Sequence, residues 1–503
     1  MNRLNRIVLG VVVVLAAQAN GGERTVDTQT VSARRFTLNE AILTALQQNP
    51  DILRARQDIE RTKGLFIEMR AAAMPQIIAT GQFQDLDPHI TNISGVREQP
   101  GTSSLNQVGA ERTYSLQLAA NQVIFSGGRV PAQISSATFQ RDSSYYAFRN
   151  AIDQVVATVR QQFYLVLLNR ALIGVQEESV RLLQSQLQDQ QNRFEAGTVP
   201  RFNVLQAQVA LSNQLPLLIT ARNNYTIAEL QLAKTLGLDF DPRRGDRPPL
   251  EAVGELVYVP REIPVTQAIA LAKENRPFLK QQKATVLSNE AQVGVARSGY
   301  FPQISALAGS ETRSSFLTDN IREARSGYIF GANGTWAVWD WGATFGRVQQ
   351  ARAVLEQSKV TLDDDVRQVE LEVQQAYANI IQGRELVKAT EKSVEQAAEA
   401  LRLASARLDA GAGTQLEVLD ARTQLTTAQS NRLQALYTYN AAVAEFDRAT
   451  ATEVKYSVCV DEPRTRARLH SPTQATPAPK PTPLPLSDKC AARTTTATSS
   501  LAK

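Results

Sequence analysis

Two fifteen-residue stretches of this chain share one pattern: RFEAGTVPRFNVLQA at residues 193–207 and RLDAGAGTQLEVLDA at residues 407–421. Six of the fifteen positions are identical, and the stretches are 214 residues apart throughout. Each predicts the end of one helix, a turn containing Ala-Gly and the start of a second helix, because glycine is favoured just past a helix C-terminus. The same helix–turn–helix, carried twice and so far apart, indicates an internal duplication.

The duplication extends over most of the chain. FTLNEAILTALQQNP, which starts at residue 36, matches IPVTQAIALAKENRP, which starts at residue 263, with an offset of 227. At the same offset MPQI, from residue 74, matches FPQI. Further on, VIFSGG, from residue 123, matches AVWDWG at an offset of 214. The first copy therefore holds 13 extra residues, which we assign to the polar stretch 85–112, because such length changes belong to loops.

Each copy has the same predicted order of elements. Two short helices come first, and the second of them starts at Pro50 or Pro277. Two alternating segments follow, then a very long helix, the quoted turn and a returning helix. We predict repeat 1 at 36–250 and repeat 2 at 263–452, with linkers at 20–35 and 251–262.

The long helix of each repeat carries an apolar stripe with a seven-residue period. The stripe consists of Val366, Val373, Ile380, Val387, Val394, Leu401 and Leu408, and in repeat 1 of Ile152, Val159, Val166, Ile173, Val180, Leu187 and Phe194. Seven heptads of strict period are typical of a coiled coil. After Pro131 no proline interrupts the first helix, so we expect a rod from about Arg129 to Ala196, ~100 Å long at ~1.5 Å per residue. An apolar stripe also fits a globular core, but a rod of this length exceeds a typical domain.

Alternating residues before each long helix predict four strands, at about 76–85, 113–125, 303–314 and 328–339. Every second residue is apolar or small, and most residues between them are polar. The apolar sides hold Ile77, Ala79, Gly81 and Phe83, then Tyr114, Leu116, Leu118, Ala120 and Ile124, then Ile304, Ala306 and Ala308, and finally Tyr328, Phe330, Ala332, Trp336 and Val338. A soluble sandwich would show the same alternation.

Aromatic residues at the strand ends favour a membrane sheet over a soluble sandwich. The three tryptophans of the chain, Trp336, Trp339 and Trp341, all lie where the fourth strand ends. Aromatic girdles mark membrane–water interfaces, and we include Tyr114 and Tyr328 among the interface residues. Open strand edges in lipid leave backbone groups unpaired, so four strands require further copies of the chain. Two copies would supply about the smallest closed barrel, and three copies would supply twelve strands and a wide pore.

The two ends of the chain differ in composition from its body. Residues 1–19 combine basic residues, an eleven-residue apolar run and Ala17-Gln18-Ala19, which is typical of a cleaved signal peptide. Eleven residues are too few to span ~30 Å of hydrocarbon. Residues 453–503 form a Pro- and Thr-rich tail that we expect to be disordered. Residues 463–503 carry a net charge of +6 and the signal peptide +2; subtracting both from the total of +5 leaves −3 for residues 20–462.

The composition argues against nucleic-acid binding and against catalysis. The body of the chain is slightly acidic, and no basic stripe runs along it. His89 and His470 are the only histidines, and Cys459 and Cys490 the only cysteines. These are few residues from which to build a zinc site or a Cys–His or Ser–His centre, so we expect no catalytic residue, metal or cofactor. Export would permit a Cys459–Cys490 disulfide, which the spacing alone does not decide.

Taken together, in order and twice over, these marks resemble the TolC-type outer-membrane efflux family. They are the PQI before the first strand, the aromatic-x-x-Gly after the second, and the Ala-Gly turn followed by Val-Leu-x-Ala. The similarity covers about residues 36 to 452. It implies a mainly α protein with a β membrane part: a homotrimer whose twelve-stranded transmembrane β-barrel continues into a long coiled-coil α-barrel in the periplasm.

The same resemblance implies a function and partners. The protein would be the channel-tunnel component of a tripartite efflux or type I secretion system, a passive exit duct in outer-membrane lipid. Its partners would be further copies of itself, a periplasmic adaptor protein, and an inner-membrane pump or secretion ATPase, with no nucleic acid. A periplasmic coiled-coil adaptor or scaffold is the alternative, although adaptors lack four amphipathic strands with a tryptophan cluster.

By this resemblance the two quoted turns, at about residues 196–203 and 410–417, are periplasmic tips where the tube closes and an adaptor docks. The residues assigned to docking are Arg193, Ala196, Gly197, Val204 and Leu205 in the first tip, and Arg407, Ala410, Gly411, Val418 and Leu419 in the second. For the two glycines the simpler interpretation is a left-handed helix end.

Two acids after the second turn are candidate gate residues. Glu417 and Asp420 are three residues apart and share one helical face. The family has a lumen-side ring of acids at matching positions, so three copies would form a six-carboxylate collar that attracts cations. The alternative is a pair of solvated acids that complement the helix dipole. Repeat 1 has Asn203 and Gln206 at these positions. Some family members hold the tip closed with a basic residue shortly before the acids and an acid in the partner turn. Here Gly413 and Asn203 occupy those two places, which predicts a looser gate.

Overall fold

The computed structural model of the chain describes residues 34–85, 87, 112–239, 250–261, 264–314 and 324–452. Several predictions therefore lie outside the described residues. They concern the signal peptide at 1–19, the tail at 453–503, both cysteines, both histidines, and nearly all of the long polar loop after residue 85.

Helices dominate the described chain, and its two halves repeat one order of elements. The first half contains β1 (Arg34–Phe36), α1 (Leu38–Gln48), α2 (Pro50–Ala71), β2 (Gln76–Asp85), β3 (Arg112–Phe125), α3 (Arg129–Glu195) and α4 (Arg201–Leu236). The second contains β4 (Leu250–Ala252), α5 (Val265–Asn275), α6 (Pro277–Arg297), β5 (Gln303–Arg313), β6 (Arg325–Thr335), α7 (Ala343–Asp409) and α8 (Gln415–Thr450). The long helices α3 and α7 have 67 residues each, and the returning helices α4 and α8 have 36 each.

Local side-chain chemistry sets the first helix boundaries. Thr37 and Glu40 form a capping box at the start of α1, in which each side chain bonds the other residue's backbone N–H. Asn49 ends α1 in an extended conformation, and its side chain accepts hydrogen bonds from the first N–H groups of α2. Pro50 occupies the first position of α2, where its missing N–H costs nothing. Two short helices therefore form instead of one.

Four antiparallel strands form one sheet in the order β2-β3-β5-β6. The central β3–β5 pair joins the two halves of the chain, and β2 and β6 are the edges. The register places Ala79 opposite Leu118, Leu118 opposite Ser310, and Ala308 opposite Phe330. Because directly opposite residues share a face, the apolar sides of the four strands lie on one face of the sheet, except at Ile124. A bulge between Val123 and Phe125 places Phe125 opposite Ile304 in its stead.

The last strand lies earlier in the chain than the sequence predicts. β6 ends at Thr335, whereas the alternation predicts a strand to residue 339, so Trp336 and Val338 lie beyond it. The ladder stops at Thr335 because this residue lies opposite Gln303, the first residue of β5. The chain then turns into α7 at Trp341 and Gly342, which adopt positive φ angles of 54° and 86°.

The predicted linkers also contain structure. Arg34–Phe36, at the boundary between the predicted linker 20–35 and repeat 1, pairs in parallel with Leu250–Ala252, at the boundary between repeat 1 and the linker 251–262. Phe36 and Ala252 are both buried in the core of repeat 1. Three-residue strands are too short to leave a recognisable period in the sequence, which is why neither segment is predicted as a strand above.

Each repeat has its own hydrophobic core, and the seven-residue stripe lies at its centre. In repeat 1 the core includes Ile152, Val159 and Val166, which pack with the short helices and α4. In repeat 2 it includes Val373 and Ile380, which pack with α5 and α8. All seven stripe positions of α7 are buried or half-buried within the single chain. In α3 the last stripe position, Phe194 at the tip, is exposed.

Candidate functional site

The two quoted turns have the same backbone geometry. Gly197 and Gly411 adopt φ angles of 73° and 74°, the left-handed region that favours glycine. In the first turn the N–H of Gly197 donates to Phe194 O and the N–H of Thr198 to Arg193 O, both at 2.9 Å. The second turn repeats this pair of bonds from Gly411 and Ala412. This double bond is a Schellman motif, which satisfies the last carbonyls of the long helix and reverses the chain.

Charged side chains distinguish the second tip from the first. Glu417 lies in the first turn of α8, where its N–H donates to the capping Thr414 Oγ1 at 3.3 Å. Its carboxylate forms an ion pair across the turn with Arg407, at 3.5 Å between Nη1 and Oε2. In the first tip Arg193 instead pairs with Asp189 on its own helix, at 2.9 Å. The structure thus brings together a predicted gate residue and a predicted docking residue.

The other predicted tip residues differ in accessibility. Asp420 is exposed, and its Oδ2 accepts a hydrogen bond from Gln424 Nε2 at 2.8 Å. Six residues assigned to docking are exposed: Arg193, Ala196, Gly197, Arg407, Ala410 and Gly411. Leu205 is exposed as well, and Val204 and Leu419 are half-buried. Val418 is only 5% exposed, so an adaptor would not reach it without a change in the hairpin.

Sequence reasoning missed the contacts that join the two hairpins within one chain. Arg422 of α8 donates from Nη1 to Leu182 O at 3.2 Å and to Gln186 Oε1 at 2.8 Å on α3. Nearer the tips, the buried Gln190 donates to Gln415 Oε1 at 3.4 Å. A cavity of about 450 Å³ lies between α3, α4 and α8, beside Arg422. The signal available in the sequence was the spacing: Arg422 follows Leu419 by three residues, so the two side chains share one side of α8.

A second polar cluster joins the repeats midway along the molecule. Arg160 of α3 pairs with the buried Asp447 of α8 at 3.0 Å. Glu372 of α7 pairs with Arg448 at 3.2 Å and with Arg276 at 2.5 Å. In the same region burial raises the pKa of the Asp153 carboxyl to about 6, and nearby arginines offset only part of this effect.

Aromatic side chains lie at both ends of the sheet. Tyr114 and Tyr328 are near the ends of β3 and β6 that are remote from the helices, and Tyr114 packs against Phe83 with ring centroids 5.1 Å apart. Trp336, Trp339 and Trp341 lie at the helix end and are all exposed. Along the strand direction, the eight residue steps from Tyr328 to Trp336 span ~26 Å, or ~20 Å along a membrane normal at ~40° tilt. That separation is on the order of the ~25 Å apolar band of an outer-membrane barrel.

The described residues contain neither a helix that could span a membrane nor a cluster of metal ligands. Within these residues, none of the helices combines the length and apolarity required to cross a bilayer. In the same part of the chain, no three histidine, cysteine or acidic side chains are grouped so as to hold a metal ion.

The fold is that of the TolC-type outer-membrane channels. The solved structure of the Campylobacter jejuni CmeC outer membrane channel matches 83% of this chain and 88% of its own with a TM-score of 0.71, at 17% sequence identity. The chain belongs to the outer membrane efflux protein family, whose pattern matches residues 41–238 and 268–452.

Curated relatives agree with this assignment. One is the probable efflux pump outer membrane protein TtgC of Pseudomonas putida, 25% identical over 414 residues and covering 78% of each chain. Another is the solvent efflux pump outer membrane protein SrpC of Pseudomonas putida, 23% identical over 435 residues, which are 83% of this chain and 87% of the relative. The protein is therefore an outer-membrane efflux channel component, and the alternative of a periplasmic adaptor is wrong.

Proposed function

We propose that three copies of this chain form one closed channel, a passive exit duct from the periplasm through the outer membrane. The observation that carries the proposal is the single four-stranded sheet, whose apolar face is exposed and whose edge strands β2 and β6 have no strand beside them among the described residues. In lipid such edges require partners. A second copy supplies a partner if its β2 pairs with β6 of the first copy. Three copies joined in this way close a twelve-stranded barrel.

The helices support the same assembly. Within the chain α8 covers one side of α3, where Ala157, Leu168 and Ser179 are buried. Their counterparts 214 residues later on α7 are Leu371, Gln382 and Ser393, and all three are exposed. The side of α7 that corresponds to the covered side of α3 is therefore open. The duplication predicts its cover, the α4 helix of another copy.

The exposed residues of α4 fit this role. Leu419 and Leu433 of α8 lie toward α3 and are half-buried. Their counterparts on α4 are Leu205 and Ile219, and Ile219 is 67% exposed. If α4 packs on α7 of another copy as α8 packs on α3 within the chain, Leu205 and Ile219 would be buried in that contact. Burial of apolar area of this kind stabilises association by ~25 cal/mol per Å².

A continuous helical tube in the periplasm would place the two tips of each copy in one ring. The adaptor would dock on the exposed tip residues, and Glu417 and Asp420 would line the narrowest part. The relatives named above are components of efflux pumps, which favours an inner-membrane pump over a secretion ATPase as the partner. Tyr114 and Tyr328 would lie at one surface of the outer membrane, and Trp336 and Trp339 at the other.

The experiment is to purify the protein in mild detergent, determine its mass by light scattering, and reconstitute it in planar bilayers. We expect a three-chain particle that conducts ions. A particle of one chain with intact secondary structure and no conductance would contradict the proposal.

A further inference from the structure

The corner between β3 and α3 is closed by a tight contact within the chain. Gly127 and Gly128 turn the chain with φ angles of 61° and 85°. A β-carbon at Gly127 would lie 2.7 Å from both Phe301 Cβ and Ser298 O. The segment that leads into β5 therefore packs directly on this corner, and only glycine fits there.

The corresponding corner of repeat 2 is built differently. The offset of 214 places Trp341 where repeat 1 has Gly127, and Trp341 also adopts a left-handed φ, 54°. This conformation is unfavourable for a bulky residue. Asp340 holds it by accepting hydrogen bonds from Gly342 N at 3.1 Å and Thr344 N at 2.7 Å. The indole is 89% exposed and touches Trp339 edge-on, with centroids 5.7 Å apart.

The duplication indicates what should cover this corner. The offset of 227 makes Met74, before β2, the counterpart of Phe301, before β5. Within one chain β2 and β6 are separated by two strands, about 14 Å from edge to edge. Within one chain, Phe301 packs on the corner at Gly127. By the same relation Met74 should pack on the corner at Trp341, but the Met74 of the same chain is too far away. The Met74 that covers Trp341 therefore belongs to a second copy.

We propose that Trp341 of one copy packs against Met74 of the next copy, where the edge strands β6 and β2 meet. The proposal rests on the assembly described under the proposed function and names one contact of it. Met74 is 54% exposed, and its polarizable thioether suits an aromatic ring. Identical geometry would bring two β-carbons to 2.7 Å, so the two segments must lie about an ångström further apart at this corner than at the in-chain corner.

This role separates Trp341 from the other two tryptophans. Trp336 is fixed by a hydrogen bond from its Nε1 to Tyr300 O at 3.1 Å, within its own repeat. Trp336 and Trp339 remain candidates for the lipid interface. Trp341 begins the corner itself and faces the junction between copies.

Disulfide cross-linking tests the contact. In a Cys459→Ser, Cys490→Ser background we would combine Met74→Cys with Trp341→Cys, oxidise the detergent-purified protein, and run a non-reducing denaturing gel. Cβ atoms about 4 Å apart favour a disulfide, so we expect covalent species up to three chains. Each single variant should remain monomeric on the gel. So should the matched pair Met74→Cys with Phe301→Cys, because these positions are not neighbours in the proposed ring.

Light scattering on the same samples separates the two proposals. Loss of the three-chain particle in the parent protein would overturn the proposed assembly. A normal three-chain particle without cross-links would overturn only the Trp341–Met74 contact.

Two further measurements cover the alternatives. Because glycine tolerates a positive φ, Trp341→Gly should keep the helix content of the chain. It should lower the temperature at which the trimer dissociates, since the contact with Met74 is lost. The control variant Trp339→Ala should leave this temperature unchanged. An unchanged or higher dissociation temperature for Trp341→Gly would contradict the contact. In a Trp336→Phe, Trp339→Phe variant, strong quenching of Trp341 fluorescence by brominated lipid would place the ring in the membrane and also overturn it.

Discussion

At the scale of single residues, one sequence difference between the two tips changes the ion pair that the tip arginine forms. Arg193 and Arg407 are equivalent, yet only Arg407 reaches across its turn, because Glu417 stands where repeat 1 has Asn203. The pair is exposed on both sides and contributes less than ~1 kcal/mol. Its loss should leave the fold intact, so Glu417 can be tested for a role in the pore without unfolding the hairpin.

We expect the double change Glu417→Gln and Asp420→Asn to reduce the cation selectivity of the channel in planar-bilayer recordings. Carboxylates gathered at a constriction attract cations, and the amides keep the size of the side chains without the charge. Block by divalent cations added from the periplasmic side should weaken as well.

The matched control is Glu195→Gln with Asp409→Asn, which removes two exposed acids that precede the turns. It should change selectivity much less. If the Glu417/Asp420 variant keeps the selectivity and block of the parent, the two acids serve only the helix terminus.

A second prediction at this scale concerns Asp153, whose pKa burial raises to about 6. The folded protein holds this proton more tightly than the unfolded chain, so the contribution of Asp153 to stability is most favourable below pH ~4 and is lost as pH rises to ~6. A shift of about two units corresponds to at most ~3 kcal/mol. Asp153→Asn should therefore raise the unfolding temperature at pH 7.5 and change it little at pH 4, as circular dichroism would show. An equal gain at both pH values would contradict the assignment.

At the scale of elements, the coiled-coil stripe packs inside the chain. Val373, Ile380 and Val387 are buried against α5 and α8 within the core of repeat 2. The period of seven thus stabilises the packing within each repeat, and the proposed contacts between copies would use other faces of the same helices.

We expect replacement of Ile380, Val394 and Leu401 together by Asp to abolish trimer formation. A charge in a packed seam costs several kcal/mol unless it is paired, so the variant fails at the α7–α8 hairpin before copies can associate. Trimer yield after membrane extraction measures the outcome. Leu403→Asp, at an exposed position two residues from Leu401, should assemble normally. A normal yield from the triple variant would show that the stripe does not pack.

At the scale of the whole molecule, the two repeats form several contacts with each other once, and the duplication predicts that each contact occurs a second time between copies. Within the chain α3 packs against α8, and β3 pairs with β5. The equivalent helices, α7 and α4, expose the corresponding faces, and the strands β6 and β2 have free edges among the described residues. The in-chain seam also carries Arg422, whose counterpart on α4 is the uncharged Gln208. The seams between copies would therefore lack that polar connection.

We expect Ile219→Asp to lower the yield of the three-chain particle while leaving the helix content of the chain unchanged. Ile219 is exposed in the single chain, so the charge costs little until a second copy covers it. Asn224→Asp is the matched control, because Asn224 is exposed on the opposite side of α4. If both variants assemble equally well, the seam uses another face of α4.

The sequence by itself determined the features that repeat along the chain. A period of seven, a period of two, and a left-handed glycine after a helix each arise from the geometry of one element, so α3, α7, the four strands and both tips could be predicted from residue order. The exposed aromatic residues at the strand ends were recognisable for the same reason.

Only the tertiary structure decided which elements meet. The pairing of β3 with β5, the β1–β4 pair, and the contacts of Arg422 with Gln186 and of Arg160 with Asp447 join residues at least 179 positions apart. No local period encodes such a contact, because it depends on how rigid helices and strands are placed relative to one another. The same is true of the ion pair of Glu417, whose partner Arg407 depends on the geometry of the turn.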